Sequence, residues 1–384
     1  MIKALYISHE SYEVAGSTLS LVNHLHALRD DVDPLLVLPA DGPAADYLRS
    51  KDYEVLIVPF KLNISPSRLV WLKRLPRTIR DTYVNTCACQ IIAPIIIERS
   101  IQLIHTNSSV TLFGHQLAQH IQRCHHRHIP HVWHLREFQD LDFGFTPFCG
   151  WQRLRYYINQ SDAVIAITRS ILNHFRLSEE VNAYVVNDAV CSVKDITVQH
   201  KEKYLVFCGK LIPEKGAELA LDIFLEVLSS HPDYSMTYLG RPEDPAYLQR
   251  LKDKAKNCGV AFKVKFLGFQ DDVKSIIEHA AVLLMCSNNE AQGRVTVEAM
   301  FFGTPVVALA AGGTLEIIDN EKNGLLFTNI HEGAVQVCRL LDNPILCQTL
   351  VANAQQTARS RFSEEQYGYR LLNIYHTILN KNPN

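Results

Sequence analysis

Ser287-Asn-Asn-Glu290-Ala-Gln-Gly293-Arg-Val-Thr-Val-Glu298-Ala-Met-Phe-Phe-Gly303-Thr-Pro305-Val-Val307 is the stretch on which the fold is decided. An apolar run, Ala280 to Met285, precedes it and reads as a buried strand. From Val295 the apolar residues recur at helical spacing until Gly303 stops them, and Pro305 opens another apolar strand. Strand, helix, strand is the repeating unit of a parallel sheet. Glu290 and Gly293 then belong to the loop leaving the first strand, and Glu298 to an early turn of the helix. In open α/β sheets that edge is where ligands bind. The unpaired helix N–H groups near Val295 and Thr296 suit an anion, most naturally a phosphate.

The same alternation runs through the whole chain, twice over. In the first half strands are expected near 2–8, 34–38, 54–58, 102–106, 131–135, 163–167 and 183–187. In the second half they are expected near 204–208, 234–239, 262–267, 281–286, 305–308 and 325–327. Helical segments between them predict an α/β class, with parallel sheets covered on both faces. A chain of 384 residues suits two domains of roughly 180 residues each. The polar, breaker-rich stretch 189–203 is the expected linker, between a first domain at 1–188 and a second at 204–362.

Composition narrows the function. With 47% hydrophobic and 20% charged residues the chain is globular. A net charge of −2 leaves no overall nucleic-acid footprint. Ten cysteines without a Cys-x-x-Cys pair suit a reducing cytoplasm. The first strand starts at once, so no secretory signal is expected. The apolar run Ile91 to Ile97, interrupted by Pro94, is too short to span a bilayer.

Taken together, Glu290 and Glu298, Glu298-Ala-Met-x-x-Gly-x-Pro-Val-Val307, Gly312-Gly313-x-x-Glu316 and Asn323-Gly324 resemble the Glu-x7-Glu signature of the retaining family-4 glycosyltransferases. Three departures stand out. Gln292 replaces the usual Phe, Asp188 replaces the Gly of an Asn-Gly turn, and Ala15 and Ser17 blur an N-terminal Gly motif. The resemblance implies the GT-B architecture, two Rossmann-like domains facing across a cleft, with residues 363–384 a final helix returning to the first domain. It implies transfer of a sugar, with retention, from a nucleotide diphosphate to an acceptor hydroxyl, without metal or cofactor. UDP-glucose is the commonest donor in the family. The acceptor would be a glycan, a lipid-linked sugar or a small molecule. A catalytically silent sugar- or partner-binding relative is the non-enzyme alternative, supported by Gln292.

Individual roles follow from the same resemblance. Gly209-Lys210-Leu-x-x-x-Lys215-Gly216 corresponds to the motif whose two cations neutralise the departing diphosphate, with Lys210 where Arg is commoner. Glu290, with the N–H groups of Gln292, Gly293 and Arg294, would hold the donor sugar. Glu298 would accept from the ribose, and Val295 and Thr296 would face the phosphate. Arg241 and Phe269, the latter through its backbone, would line the base pocket. Gly16, at the first strand–helix turn, would approach a phosphate closely. His134 ends a strand in Pro130-His-Val-Trp-His134-Leu-Arg136-Glu137, near the sugar and the acceptor hydroxyl. Asn107 and Ser108 end a neighbouring strand at the same edge.

Two other clusters invite a role. Cys124-His125-His126-Arg127-His128 does not fit zinc spacing and reads as a solvated helix end. Between Ser65 and Tyr83, Arg68, Lys73, Arg74, Arg77 and Arg80 alternate with Leu69, Trp71, Leu72, Leu75 and Ile79, with Pro76 interrupting. Such a basic amphipathic segment suits peripheral contact with anionic lipid.

Overall fold

Apolar alternation along the strands and helical spacing between them give two sheets in this computed structural model, which describes residues 1–14, 16–66, 74–270, 272–288 and 290–381. The chain divides into two units, Met1–Ala189 with Tyr367–Asn384, and Val190–Gln366. The segment 189–203 is shared out rather than left as a free tether. Ala189 is buried in the first core, Val190 and Cys191 are buried in the second, and Glu202 already begins a strand.

The first unit's sheet runs Glu54–Ile57, Val32–Leu38, Ile2–Ile7, Leu103–Thr106, His131–Leu135, Ala163–Ala166, Ala183–Val185. All neighbours are parallel. The second unit's sheet runs Val264–Phe266, Ser235–Leu239, Glu202–Cys208, Ala280–Met285, Val306–Leu309, Leu325–Phe327, again parallel throughout. Counted in chain order, each sheet reads 3-2-1-4-5-6, the doubly wound Rossmann order, and the first adds a seventh strand. Strand order therefore reverses beside Ile2–Ile7 and Leu103–Thr106 in one unit. In the other it reverses beside Glu202–Cys208 and Ala280–Met285.

Both sheets are covered on both faces. Ala4 and Tyr6 join one core of the first unit, while Leu5 and Ile7 join the other. Leu205 and Phe207 in the second unit face one way and Val206 the other. An antiparallel pair, Ile64–Pro66 with Phe145–Pro147, is a feature that the alternation did not predict. The helical segment expected between the strands at 54–58 and 102–106 is the long helix Arg74–Glu98. Pro76, exposed, lies near the start of the described part of that helix, which runs on past it to Glu98. Pro94 sits within the helix, exposed, and does not end it. Among the described residues no helix is long and apolar enough to cross a membrane.

The last helix, Glu364–Lys381, lays Tyr367, Leu371, Ile374, Tyr375 and Ile378 on the first unit's core at helical spacing. Its partner there is the helix Gly16–Ala27, through Leu21 and Leu25. Gly368 makes the approach: a Cβ at this position would lie 2.4 Å from the Ala27 carbonyl oxygen. Gly368→Ala should therefore cost about 1–3 kcal/mol through overpacking. Urea denaturation followed by circular dichroism checks this, and an unchanged midpoint would show that the two helices have room to spare.

Candidate functional site

In the second unit the residues singled out from sequence gather at the carboxyl edge where strand order reverses. Gly209 follows the Glu202–Cys208 strand and donates its N–H to the Leu239 carbonyl at 2.9 Å. After it the chain makes the short turn Pro213–Lys215 and enters the helix Ala217–Val227 through Gly216. Gly216 has a φ of +74°, and a Cβ there would sit 2.1 Å from the Cys286 carbonyl oxygen. Only glycine meets both demands. This close approach sets Lys215 against the loop that leaves Ala280–Met285, and its Nζ donates to the Glu290 carboxylate at 2.6 Å. Both side chains are partly shielded, 31% and 18% exposed.

Lys210 does not share that partner. Its Nζ pairs with Glu243 at 2.5 Å in open solvent, an ion pair absent from the sequence reading. The two lysines thus sit on one loop with different neighbours.

Past Glu290, Gly293 (φ +71°) caps the helix Arg294–Phe301. The Thr296 N–H is already donated to the Gly293 carbonyl at 3.0 Å, so the expectation that it is unpaired is corrected. The tightened first turn uses it internally. What remains open at Thr296 is its buried Oγ1, which has no partner, as has Oγ1 of buried Thr314 nearby in sequence to the Gly312-Gly313 turn. Gly313 in turn donates its N–H to the Glu290 carbonyl at 2.7 Å, so one half of the signature holds the other in place. Gln292 is buried at 3% exposure. Burial pushes the Glu298 carboxyl above the ordinary glutamate range, and Arg294, 3.9 Å away, draws it back. Arg241 lies 4.5 Å over the Phe269 ring. That stacking engages the ring of Phe269, whereas the sequence reading used its backbone.

In the first unit Gly16 is the first residue of its helix, and Ala15 lies outside the described residues. His134 is the fourth residue of His131–Leu135 and is fully buried. Burial, with the cations and imidazoles around it, holds its ring well below the ordinary histidine range; Arg136 is the largest of those charges. Around it sit His24, His105, Tyr6, Tyr367 and Tyr375, all buried. The nitrogens of His24, His105 and His134 lie within 4.8 Å of one another, a metal-capable cluster among the described residues that sequence spacing could not reveal. Arg136 beside them pairs with Asp188, so the residue that departs from the Asn-Gly turn is the counter-ion of a buried guanidinium. Arg136 Nε also donates to Asn107 Oδ1 at 2.7 Å. Next to these, Glu137 accepts from Ser108 Oγ, Ser109 N and Ser109 Oγ at 2.6, 2.6 and 2.7 Å. Arg136 and Glu137 were not among the residues expected to act; His134 alone of this strand end was. A charged pair directly after a buried strand was the available signal.

The Cys124–His128 run closes the helix Phe113–His125 with His126 left-handed, and His128 Nε2 meets Asp162 at 3.0 Å. Of the basic amphipathic segment, Arg68, Leu69, Trp71, Leu72 and Lys73 lie outside the described residues. Arg77 and Arg80 both reach Asp81, and Arg77 lies 4.8 Å over the Phe148 ring.

Asp188→Asn leaves the Arg136 guanidinium buried without its countercharge and should cost about 3–5 kcal/mol. Arg136→Met combined with Asp188→Leu should recover most of that loss, because neither charge then remains. Chemical denaturation of the three proteins is the check, and a mild single variant would mean that the pair is solvated.

Residues 192–357 match the family Glycosyl transferases group 1. An uncharacterized glycosyltransferase of Methanocaldococcus jannaschii is 32% identical over 186 residues, 47% of each chain. N-acetyl-alpha-D-glucosaminyl L-malate synthase of Bacillus anthracis is 25% identical, over 60% of this chain and 64% of its own. The chain thus spans about half to just under two thirds of the length of these curated relatives. Among solved structures, Anabaena HepE in complex with UDP superposes with a TM-score of 0.79 at 21% identity, covering 98% of this chain and 100% of HepE. HepE in complex with UDP-glucose gives a TM-score of 0.75 at 20% identity, with the same coverage. These likenesses, with the two parallel sheets, identify the fold as GT-B.

Proposed function

We propose that this chain, whose residues 192–357 match the family Glycosyl transferases group 1, moves a hexose from a UDP-sugar to an acceptor hydroxyl with retention of configuration. The observation that carries the reading is the Lys215–Glu290 pair at the strand-order reversal of the second unit. A cation and a carboxylate at 2.6 Å are matched to the two halves of a sugar nucleotide. Anabaena HepE, of the same fold, is known in complex with UDP-glucose, which supports a UDP-sugar donor.

In this mechanism the barrier is cleavage of the bond from the anomeric carbon to the diphosphate. Negative charge develops on the leaving oxygen as the sugar becomes oxocarbenium-like. Lys215 turns from Glu290 to that oxygen, Lys210 adds charge from the same loop, and the Val295 N–H and Thr296 Oγ1 complete the phosphate contacts. Glu290, released, takes the hydroxyls of the hexose with the N–H groups of Gln292, Gly293 and Arg294, and positions the sugar without attacking it. Glu298 accepts from the ribose, and Arg241 and Phe269 hold the base. The acceptor hydroxyl attacks on the leaving group's side, and the diphosphate takes its proton. Two lysines supply the countercharge that a divalent cation would otherwise give, so turnover should persist in excess chelator. For the acceptor we propose a glycan or a lipid-linked sugar in glycoconjugate synthesis. Exposed Ile79, Tyr83 and Ile91 along one helix favour a lipid surface, which binding to anionic vesicles at low salt would test.

Release of UDP or GDP against a panel of UDP- and GDP-sugars tests the reaction itself; no release from any of them would reject it. Lys215→Ala should cost roughly 3 kcal/mol of transition-state stabilisation, about 100-fold in turnover. Glu290→Gln should behave differently. It frees Lys215 for the diphosphate, so calorimetry should show UDP bound at least as tightly as in the wild type while transfer falls. Weaker UDP binding in that variant would count against the pair.

Glu298 gives a third measurement. Its carboxyl titrates above the ordinary range in the folded chain, so ionising it costs stability above the unfolded pKa. That cost disappears as pH falls through the folded value. Glu298→Gln should therefore be more stable at pH 7, with the gain vanishing in acid, and should bind UDP more weakly. Thermal melts across pH and UDP titration read the two effects separately.

A further inference from the structure

Past the strand His131–Leu135 the chain reaches Gln139, whose side chain is wholly buried. Its backbone lies at φ +72° and ψ −62°, a strained conformation for a residue with a Cβ. The side-chain amide has one orientation only. Its Nε2 donates to the Ser109 carbonyl oxygen at 2.9 Å and to Ser109 Oγ at 2.8 Å. A carbonyl can only accept, so the two ends of the amide cannot be exchanged. Oε1 is thereby turned away from Ser109, and among the described residues it is buried without a partner.

The donors around Ser109 are already spent. Ser109 Oγ accepts from Gln139 and donates to Glu137 at 2.7 Å, and the Ser109 N–H goes to the same carboxylate at 2.6 Å. Ser108 Oγ also donates to Glu137, at 2.6 Å, and accepts from the Val110 N–H at 3.1 Å. Buried acceptors are normally satisfied, so the orphan Oε1 marks a place for a donor from outside the chain. The charge nearby decides its kind. Between Pro130 and Pro147 the sequence sets a single Arg or Lys, Arg136, against Glu137, Asp140 and Asp142. Arg136 is taken by Asp188, and Glu137 is held by serine hydroxyls and an amide. A phosphate or carboxylate would bring a further acceptor to an acceptor, with its own charge desolvated beside a carboxylate.

We propose that Gln139 sets the class of acceptor: Oε1 takes an O–H or N–H of an uncharged sugar unit, and acceptors that would place phosphate or carboxylate there are rejected. This deepens the glycosyl-transfer reading and rests on it. The bonds to Ser109 fix the oxygen before an acceptor arrives, so little ordering is left to binding. A site built to receive a hydrogen bond discriminates strongly against a molecule that cannot give one.

Acceptor pairs that differ only by charge test this: glucose with glucose 6-phosphate, and N-acetylglucosamine with its 6-phosphate. With UDP-glucose as donor, a neutral sugar should stimulate UDP release at least about ten-fold more than its phosphate does. Equal stimulation, or a phosphate that does better, overturns the proposal. Gln139→Met keeps the length of the side chain and loses the oxygen. It should raise the KM for the neutral sugar about ten-fold, with a smaller change in kcat. An unchanged KM overturns the contact. Calorimetry of the same sugars with the full chain saturated in UDP needs neither turnover nor a variant. Tighter binding of either phosphate, or no binding of either neutral sugar, overturns the proposal. A chain that binds the neutral sugars but releases UDP from no donor rejects the reaction and leaves this selectivity standing.

Discussion

Parallel strands covered on both faces have no free surface along their length, and that constraint governs where this protein does chemistry. Leu205, Phe207 and Val206 are committed to cores, as are Ala4, Tyr6, Leu5 and Ile7. Polar groups must gather where strands end, and ligand space opens where neighbouring connections leave the sheet on opposite faces. Each unit has one such reversal. In the second it collects Lys210, Lys215, Glu290 and the helix entry at Gly293. In the first it collects Asn107, with His134 and Arg136 from the adjoining strand.

Charge compensation then decides which of these groups can persist in the free protein. Lys215 and Glu290 neutralise each other at 2.6 Å, with both side chains partly shielded. In the proposed reaction a sugar nucleotide, with its diphosphate and hydroxyls, would replace both halves of the pair at once. The Arg136–Asp188 pair is of another kind. Both residues are buried, and the guanidinium is also held by Asn107. Removing one charge would strand the other, which makes this pair a fixed part of the fold rather than one that yields to a ligand. One pair is poised to exchange and the other to hold.

Departures from the family pattern take on a physical meaning in this setting. Asp188 in place of Gly looks like a strained turn when only the turn is considered. With Arg136 beside it the carboxylate is required, and Asn187 anchors the same stretch by donating to the Ile167 carbonyl at 2.8 Å. Gln292, where Phe is usual, is buried. Pro76 and Pro94 looked like interruptions of a helix because proline lacks an N–H. Both are exposed, and the helix Arg74–Glu98 contains both.

The sequence by itself determined the alternation of strands and helices, the parallel sheets, and the loop carrying Glu290 and Gly293. These follow from local periodicity and from glycine and proline, whose effects act within a few residues. It also determined which helix Glu298 begins, through the spacing of apolar residues after Val295. Only the tertiary structure decided partners. Lys215 meets Glu290 75 residues away, Arg136 meets Asp188, and Tyr367 and Tyr375 reach His24 and His105 from the far end of the chain. No sequence period encodes such pairs, because they form where separate strand ends are brought side by side. The orientation of the Gln139 amide was further out of reach. It depends on the Ser109 carbonyl lying within reach of its nitrogen, a condition set by packing alone.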